Sequence, residues 1–292
     1  MNNNKSNKNI DERKYNTSSI KTKIAIILKY MVLASAVFIC LFPLVWVILS
    51  SFKTNAQIFS EQFWPSTINF DGYKEALRLS PIPKFFINSV FIATTASVIN
   101  VALVSMAAYV FARTKFKGSD FLYSLFLTAL VLPGTAVIQP VYMQINRMRL
   151  LDTRTGLIIV YSCVGLAMTI MVMRSFFSGI PKDLEESTAI DGAGFVRTYI
   201  QIMLPIAKPG IVTCFVLRFI PNWNEFTYAL VLTTSTEVRT LPLSLAYFVS
   251  TFSFNYTAMF AAITIAALPS ILIFAVFNEQ VISSMTIGAV KG

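Results

Sequence analysis

Arg218, Asn222 and Glu225 stand four and three residues apart within a largely apolar run. That spacing puts two opposite charges and an amide on one face of a helix. Charges at membrane depth are costly and usually face a cavity or a partner helix. Two roles stay open for them: with Asn224 they line a translocation path, or Arg218 and Glu225 lie nearer the helix interfaces or pair with a second membrane chain. Other chemistry is poorly served. The chain has no histidine, which removes Ser–His–Asp triads, most zinc sites and haem ligation. Cys40, Cys163 and Cys214 lie in apolar segments without metal-like spacing and read as small core residues. No catalytic or metal-binding residue is expected.

A second group lies in 174–209, the loop R-S-F-F-S-G-I-P-K-D-L-E-E-S-T-A-I-D-G-A-G-F-V-R-T-Y-I-Q-I-M-L-P-I-A-K-P. Pro181 sits where a helix begins, and Asp183, Glu185 and Glu186 fill the first turn, favourable at the positive end of the helix dipole. Gly192 and Gly194 end or bend that helix. A second amphipathic run then leads to Pro205. The loop predicts a short helix–turn–helix, more structure than a simple connection between two spans requires.

Both groups must be positioned by membrane-spanning elements. The 292 residues are 55% hydrophobic and only 13% charged, with mean hydropathy +0.65; a soluble domain carries about 25% charged residues. The runs 30–52, 85–112, 121–146 and 155–173 contain no Asp, Glu, Lys or Arg. A helix crosses a ~30 Å hydrocarbon core in about 20 such residues. Six spans are predicted, at 24–49, 86–111, 121–142, 157–173, 211–232 and 258–277. Residues 1–23 are Asn/Lys-rich and polar and are expected to be a disordered cytoplasmic tail. The six-helix domain occupies 24–282, and 283–292 form a cytoplasmic C-terminal tail. The net charge of +10 fits Lys and Arg flanking spans, with no nucleic-acid partner. With the N-terminus inside, fifteen Lys and Arg lie on the cytoplasmic side against eight outside, which puts both termini in the cytoplasm. The loop with Arg147, Arg149 and Arg154 runs against that bias. Residues 240–278 carry no charge, and 241–254 within them read as an interfacial or re-entrant helix on the external side.

The loop resembles the signature of ABC importer permeases, E-A-A, three residues, Gly, nine residues, Ile, one residue, Leu-Pro. Here Glu186-Ser187-Thr188 is followed by Gly192, then Ile202 and Leu204-Pro205, with every spacing matched. The departure is Ser-Thr for Ala-Ala, still small. The resemblance covers nearly the whole chain and narrows to the carbohydrate importers. N-F-D-G-Y at 69–73, A-Y-V-F-A-R-T-K-F-K-G at 108–118, W-N-E-F at 223–226 and T-L-P-L at 240–243 all resemble that family. The ending M-T-I-G-A-V-K-G is similar to that of the maltose-type inner-membrane subunit.

The resemblance implies an all-α integral membrane protein of the type I ABC importer permease fold, with six transmembrane helices and a cytoplasmic coupling helix. It implies a sugar or oligosaccharide importer in the bacterial cytoplasmic membrane, built with a second homologous permease, two ATP-binding subunits and an extracellular or periplasmic sugar-binding protein. The chain lacks a G-x-x-x-x-G-K-[ST] loop, so ATP and Mg would be bound by the partner subunit and this chain would not itself be an enzyme. Glu186, Ser187, Thr188, Ala189, Ile190, Asp191, Gly192, Ile202, Leu204 and Pro205 would couple to the ATPase. Ala189 and Ile190 would supply apolar contact, and Glu186 would pair with a base on the partner or cap its own helix. Gly288, Val290, Lys291 and Gly292 would contact the ATPase through the tail. The rival class is a secondary transporter or channel working without an ATPase. Against it, the two halves show no repeat and Glu225 is the only intramembrane acid.

Overall fold

No glycine or proline precedes Pro43, and from Asn3 to Ser50 the chain forms one helix, α1. The computed structural model describes residues 3–60, 62–248 and 255–289, and every regular element in them is helical. The polar residues expected to be a disordered tail continue the same helix back to Asn3, ahead of the apolar part that begins at Thr22. Nothing in their sequence breaks a helix.

Two short helices follow, α2 (Asn55–Ile58) and α3 (Asp71–Leu79). A capping box closes the start of α2: the Thr54 side chain accepts from the Gln57 N–H, and the Gln57 side chain accepts from the Thr54 N–H. The chain then enters α4 (Ile82–Arg113), which carries proline only in its first turn and no glycine. It runs unbroken for 32 residues.

The expected span 121–142 is not continuous. It divides into α5 (Ser119–Thr128), a 3-10 turn (Gly134–Val137) and α6 (Ile138–Arg147). Pro133 is extended at the break, with ψ 126°; it cannot donate to the preceding turn and it disfavours helical Leu132. The fourth span is also broken, into α7 (Arg154–Cys163) and α8 (Leu166–Gly179), which meet at 52°.

The 174–209 segment forms α9 (Asp183–Ile190), α10 (Phe195–Thr198), a π turn (Tyr199–Met203) and α11 (Leu204–Ile206). A 75° elbow then leads into α12 (Lys208–Trp223). The expected fifth span, 211–232, ends as a separate short helix, α13 (Thr227–Leu232). Within 241–254, α14 (Leu241–Ser244) and a 3-10 turn (Leu245–Phe248) precede residues 249–254, which lie outside the described ones. The last span is α15 (Tyr256–Ala289), so 283–289 extend that helix.

Three described helices are individually long and apolar enough to cross a membrane: Thr22–Ser50, Ile82–Arg113 and Tyr256–Glu279. Helix α4 lies at the centre, packed on α7, α8 and α12, while α15 packs on α3, α12 and α1. Between apolar helices in lipid, association depends on close packing rather than on removal from water. Small side chains serve that purpose here. Ala93, Ala96 and Ala108 of α4 and Ala258, Ala261 and Ala262 of α15 are fully buried.

Candidate functional site

Three backbone features shape the exposed helix–turn–helix. Asp183, Glu185 and Glu186 occupy the first turn of α9, as the sequence predicts. At its end the Gly192 N–H donates to the Ala189 carbonyl (3.1 Å) and the Ala193 N–H to the Thr188 carbonyl (2.9 Å). This is a Schellman closure, and Gly192 holds the left-handed φ of +78° that it needs. Gly194 then serves as the extended N-cap of α10. Farther on, the Leu204 N–H bonds the Tyr199 carbonyl five residues back, a π turn just ahead of Pro205.

The signature residues divide by exposure. Glu186, Ser187, Ala189, Asp191, Gly192 and Pro205 are exposed, and Ile190 is 86% exposed, an apolar side chain at the tip of the segment. Thr188, Ile202 and Leu204 are half-buried. The Thr188 hydroxyl meets that of Thr198 at 3.3 Å, so one of the two small signature positions joins α9 to α10. Glu186 has no ion pair among the described residues. A chain-borne partner goes instead to its neighbour: Glu185 Oε1 lies 3.2 Å from Arg113 Nε, an ion pair off-line for a hydrogen bond. Arg113 Nη2 also donates to the Ile180 carbonyl at 2.6 Å. Beside them Tyr109 stacks on Phe195 and Tyr199, with centroids 4.7 and 5.1 Å apart. Sequence reasoning missed Arg113, Tyr109 and Glu185; the only available signal was the doubled Glu185–Glu186. Gly288 lies in the last described turns of α15, while Val290, Lys291 and Gly292 fall outside the described residues.

The intramembrane group is arranged differently from the expected stripe. Helix α12 ends at Trp223, so Glu225 does not share a helical face with Arg218 and Asn222. Arg218 and Asn222 are 6% and 5% exposed. Arg218 Nη2 donates to Asn222 Oδ1 (2.8 Å), and Asn222 Nδ2 donates to Ser97 Oγ on α4 (3.0 Å). The Arg218 guanidinium packs over Gly165, where φ is +76° and a Cβ would lie 2.0 Å from Nη1. Glu225 instead caps α13, accepting from the Tyr228 N–H (2.7 Å), the Ala229 N–H (3.0 Å) and the Tyr161 hydroxyl (2.6 Å). Asn224 is exposed, and its Nδ2 donates to the Ile220 carbonyl at 3.0 Å.

The break in the fourth span is stitched from α4 as well. Asn100 Nδ2 donates to the Ser162 carbonyl (2.7 Å), and Asn100 Oδ1 accepts from the Thr169 hydroxyl (3.0 Å). One amide thus bridges the two halves, α7 and α8. A cavity of about 430 Å³ lies against Gly165, lined also by Gln144, Cys163 and Tyr228. Among the described residues no group of three or more His, Cys, Asp and Glu side chains gathers.

The opposite end holds the segment 233–241 at several points. Asn88 Nδ2 donates to the Glu237 carbonyl (2.9 Å) and to the Arg239 carbonyl (3.0 Å), and Lys84 pairs with Glu237. Ser89 Oγ accepts from the Leu241 N–H at 2.7 Å. Asp152 Oδ1 accepts from the N–H groups of Thr234 and Ser235, both at 2.9 Å.

Residues 105–286 match the family described as binding-protein-dependent transport system inner membrane component. The diacetylchitobiose uptake system permease NgcG of Streptomyces coelicolor is 34% identical, over 87% of this chain and 85% of that protein. The trehalose transport system permease SugB of Mycobacterium tuberculosis is 32% identical, over 86% of this chain and 93% of its own length. In three dimensions the chain is similar to a subunit of a bacterial ABC transporter that imports alginate, with TM-score 0.78 and 22% identity, over 88% of this chain and 96% of that one. An all-helical bundle built around α4, a matching signature loop and this extent of likeness lead to one assignment: the chain belongs to the binding-protein-dependent transport system inner membrane component family, as a multi-pass membrane permease.

Proposed function

We propose that the chain is the permease subunit of an ATP-driven importer for a sugar or oligosaccharide, forming half of the translocation path. The observation that carries this reading is the exposed α9–α10 unit, which presents Ile190 beside the Schellman turn at Gly192. An apolar tip on a rigidly closed helix end suits docking into a cleft of a partner protein, and it has no evident use in a simple connection between spans. The proposed complex holds this chain, a second homologous permease, two ATP-binding subunits and an external sugar-binding protein. ATP and Mg belong to the ATP-binding subunits, and the permease moves with their closure. Both termini and the 181–205 loop face the cytoplasm of a bacterial cell, and 233–241 faces outward. The positive-inside bias supports that orientation.

Affinity purification of the tagged chain from gently solubilised native membranes tests the assembly. Recovery of an ATP-binding subunit and a second permease supports the reading, whereas a lone chain that still moves sugar into liposomes overturns it. Within the assembled complex, Gly192→Asp is expected to lower sugar-stimulated ATPase activity about tenfold or more. The Asp adds a charge at the tip, and at this φ it is less favoured than glycine. Unchanged stimulation in that variant would sink the role of the loop.

A further inference from the structure

Of the four spans that lie between the first (α1) and the last (α15), α4 alone runs without a break. Its 32 residues make it about 48 Å long at 1.5 Å per residue. The pairs α5–α6, α7–α8 and α12–α13 are interrupted. Each end of α4 is fastened to a different functional segment. Near its C-terminal end, Arg113, 5% exposed at the side chain, pairs with Glu185 of α9 and donates to the Ile180 carbonyl just before it. Tyr109 stacks on Phe195 and Tyr199, and Ser105 shares a 2.7 Å hydrogen bond with the Tyr199 hydroxyl. Near its N-terminal end, Asn88 and Ser89 hold the backbone of 237–241.

The chain connections of the loop are weaker mechanical links. It joins α8 through 180–182, where Ile180 is extended and Pro181 follows, and it joins α12 through the 75° elbow. A displacement of α9 therefore finds its stiffest route through side chains that belong to α4. Partly buried opposite charges fix that joint: removing either one leaves the other without its partner in a poorly solvated site. We propose that α4 is a rigid strut that carries displacement between the coupling helix α9 and the opposite segment 237–241, with the Arg113–Glu185 pair and Asn88 as its two end joints. The proposal rests on the coupling reading above and adds which span receives the motion. Arg113, Glu185 and Asn88 act as positioning residues.

The test uses the full complex in nanodiscs. Cys40, Cys163 and Cys214 are replaced by Ser, and Arg113→Cys with Glu185→Cys are introduced. ATPase stimulation by the copurified, sugar-loaded binding protein is read before and after bridging the pair with a short bifunctional methanethiosulfonate. If α4 and α9 move as one body, the unlinked pair loses about tenfold in stimulation. Linking restores most of it, and reduction removes it again. An unlinked pair as responsive as the parent, or a linked pair no better than the unlinked one, overturns the strut. Asn88→Leu, at the far joint, is expected to reduce stimulation while assembly and basal hydrolysis persist; full stimulation in that variant also overturns it. If the Cys pair folds poorly, Arg113→Glu with Glu185→Arg keeps the opposite charges. Recovery relative to Glu185→Arg alone supports the joint, and no recovery counts against it. The parent complex separates the two readings: stimulation in the parent with indifference in the variants defeats the strut and leaves the importer reading intact.

Discussion

Helix α4 and the α7–α8 pair lie against each other and are built from similarly uncharged sequence, yet one is continuous and the other turns by 52°. The difference originates in one residue type. Helix α4 has no glycine, while Gly165 sits between Val164 and Leu166 with φ at +76°, a conformation that favours glycine. Where the helix stops, its last carbonyls lose their donors, and lipid supplies none. Polar side chains of neighbouring spans gather there: Asn100 takes the Ser162 carbonyl, and Arg218 lies over Gly165. Through Asn100 the unbroken helix thus supplies the amide that bridges the two halves of the broken one. That suits a division in which α4 carries force and the fourth span bends.

The strongest way to break this contrast is to fill the bend. Gly165→Val adds a β-branched side chain at positive φ, and its Cβ would meet the Arg218 guanidinium at 2.0 Å. Left-handed strain and overpacking together are expected to cost about 3 kcal/mol or more. The yield of monodisperse protein in detergent should collapse, with Gly165→Ala showing a milder form. A Gly165→Val protein with normal yield and melting temperature would show that the bend is not held by this contact.

A smaller effect separates bracing from transport. Asn222→Leu removes the link from Arg218 to Ser97 and takes the Asn222 Oδ1 acceptor away from a buried guanidinium. The expected loss is about 1–2 kcal/mol, since transmembrane hydrogen bonds contribute less than those in dry models. Thermal unfolding in detergent reads it directly. At 5% exposure, Asn222 is expected to brace the spans, so uptake per assembled complex should hold. Lost uptake at unchanged stability would put Asn222 on the path instead.

How much of this was visible in the sequence follows the same line between local and distant causes. The helix–turn–helix was legible because its signals are local: Pro181 before the acidic first turn, Gly192 at the C-terminal closure and Gly194 opening α10. The spans were legible as apolar runs, but their interruptions were not, although Pro133 and Gly165 stood in plain view. Charge-free length cannot distinguish a straight helix from a broken one. The spacing of Arg218, Asn222 and Glu225 misled for a related reason: it presumes a continuous helix, and α12 ends at Trp223. Contacts such as Arg113 with Glu185, or Asn100 with Ser162, join residues 72 and 62 positions apart. No periodicity reports them.

The smallest effect sharpens the contrast at the opposite end, where both regions grip one segment. Helix α4 holds 237–241, while Asp152, just before α7, holds Thr234 and Ser235. Burial alone would push the Asp152 carboxyl up, but the N–H groups and side chains of Ser235 and Thr234 outweigh it and keep the group below its ordinary value. A depressed value means that the anchoring is fully present above the ordinary carboxylate range and is lost as pH falls through the lower folded value, so it weakens only below about pH 4. Asp152→Asn tests this cleanly, because Asn tolerates the φ of +54° that Asp152 adopts. It keeps one acceptor oxygen and should cost about 1 kcal/mol or less at neutral pH. Amide protection at Thr234 and Ser235, taken relative to the intrinsic exchange rate at each pH, should then lose its dependence on acid, while protection at Leu241, held by Ser89 of α4, stays as in the parent. If acid loosens Leu241 equally in the parent, the two anchors act as one, and the separation between the α4 joint and the α7 joint fails.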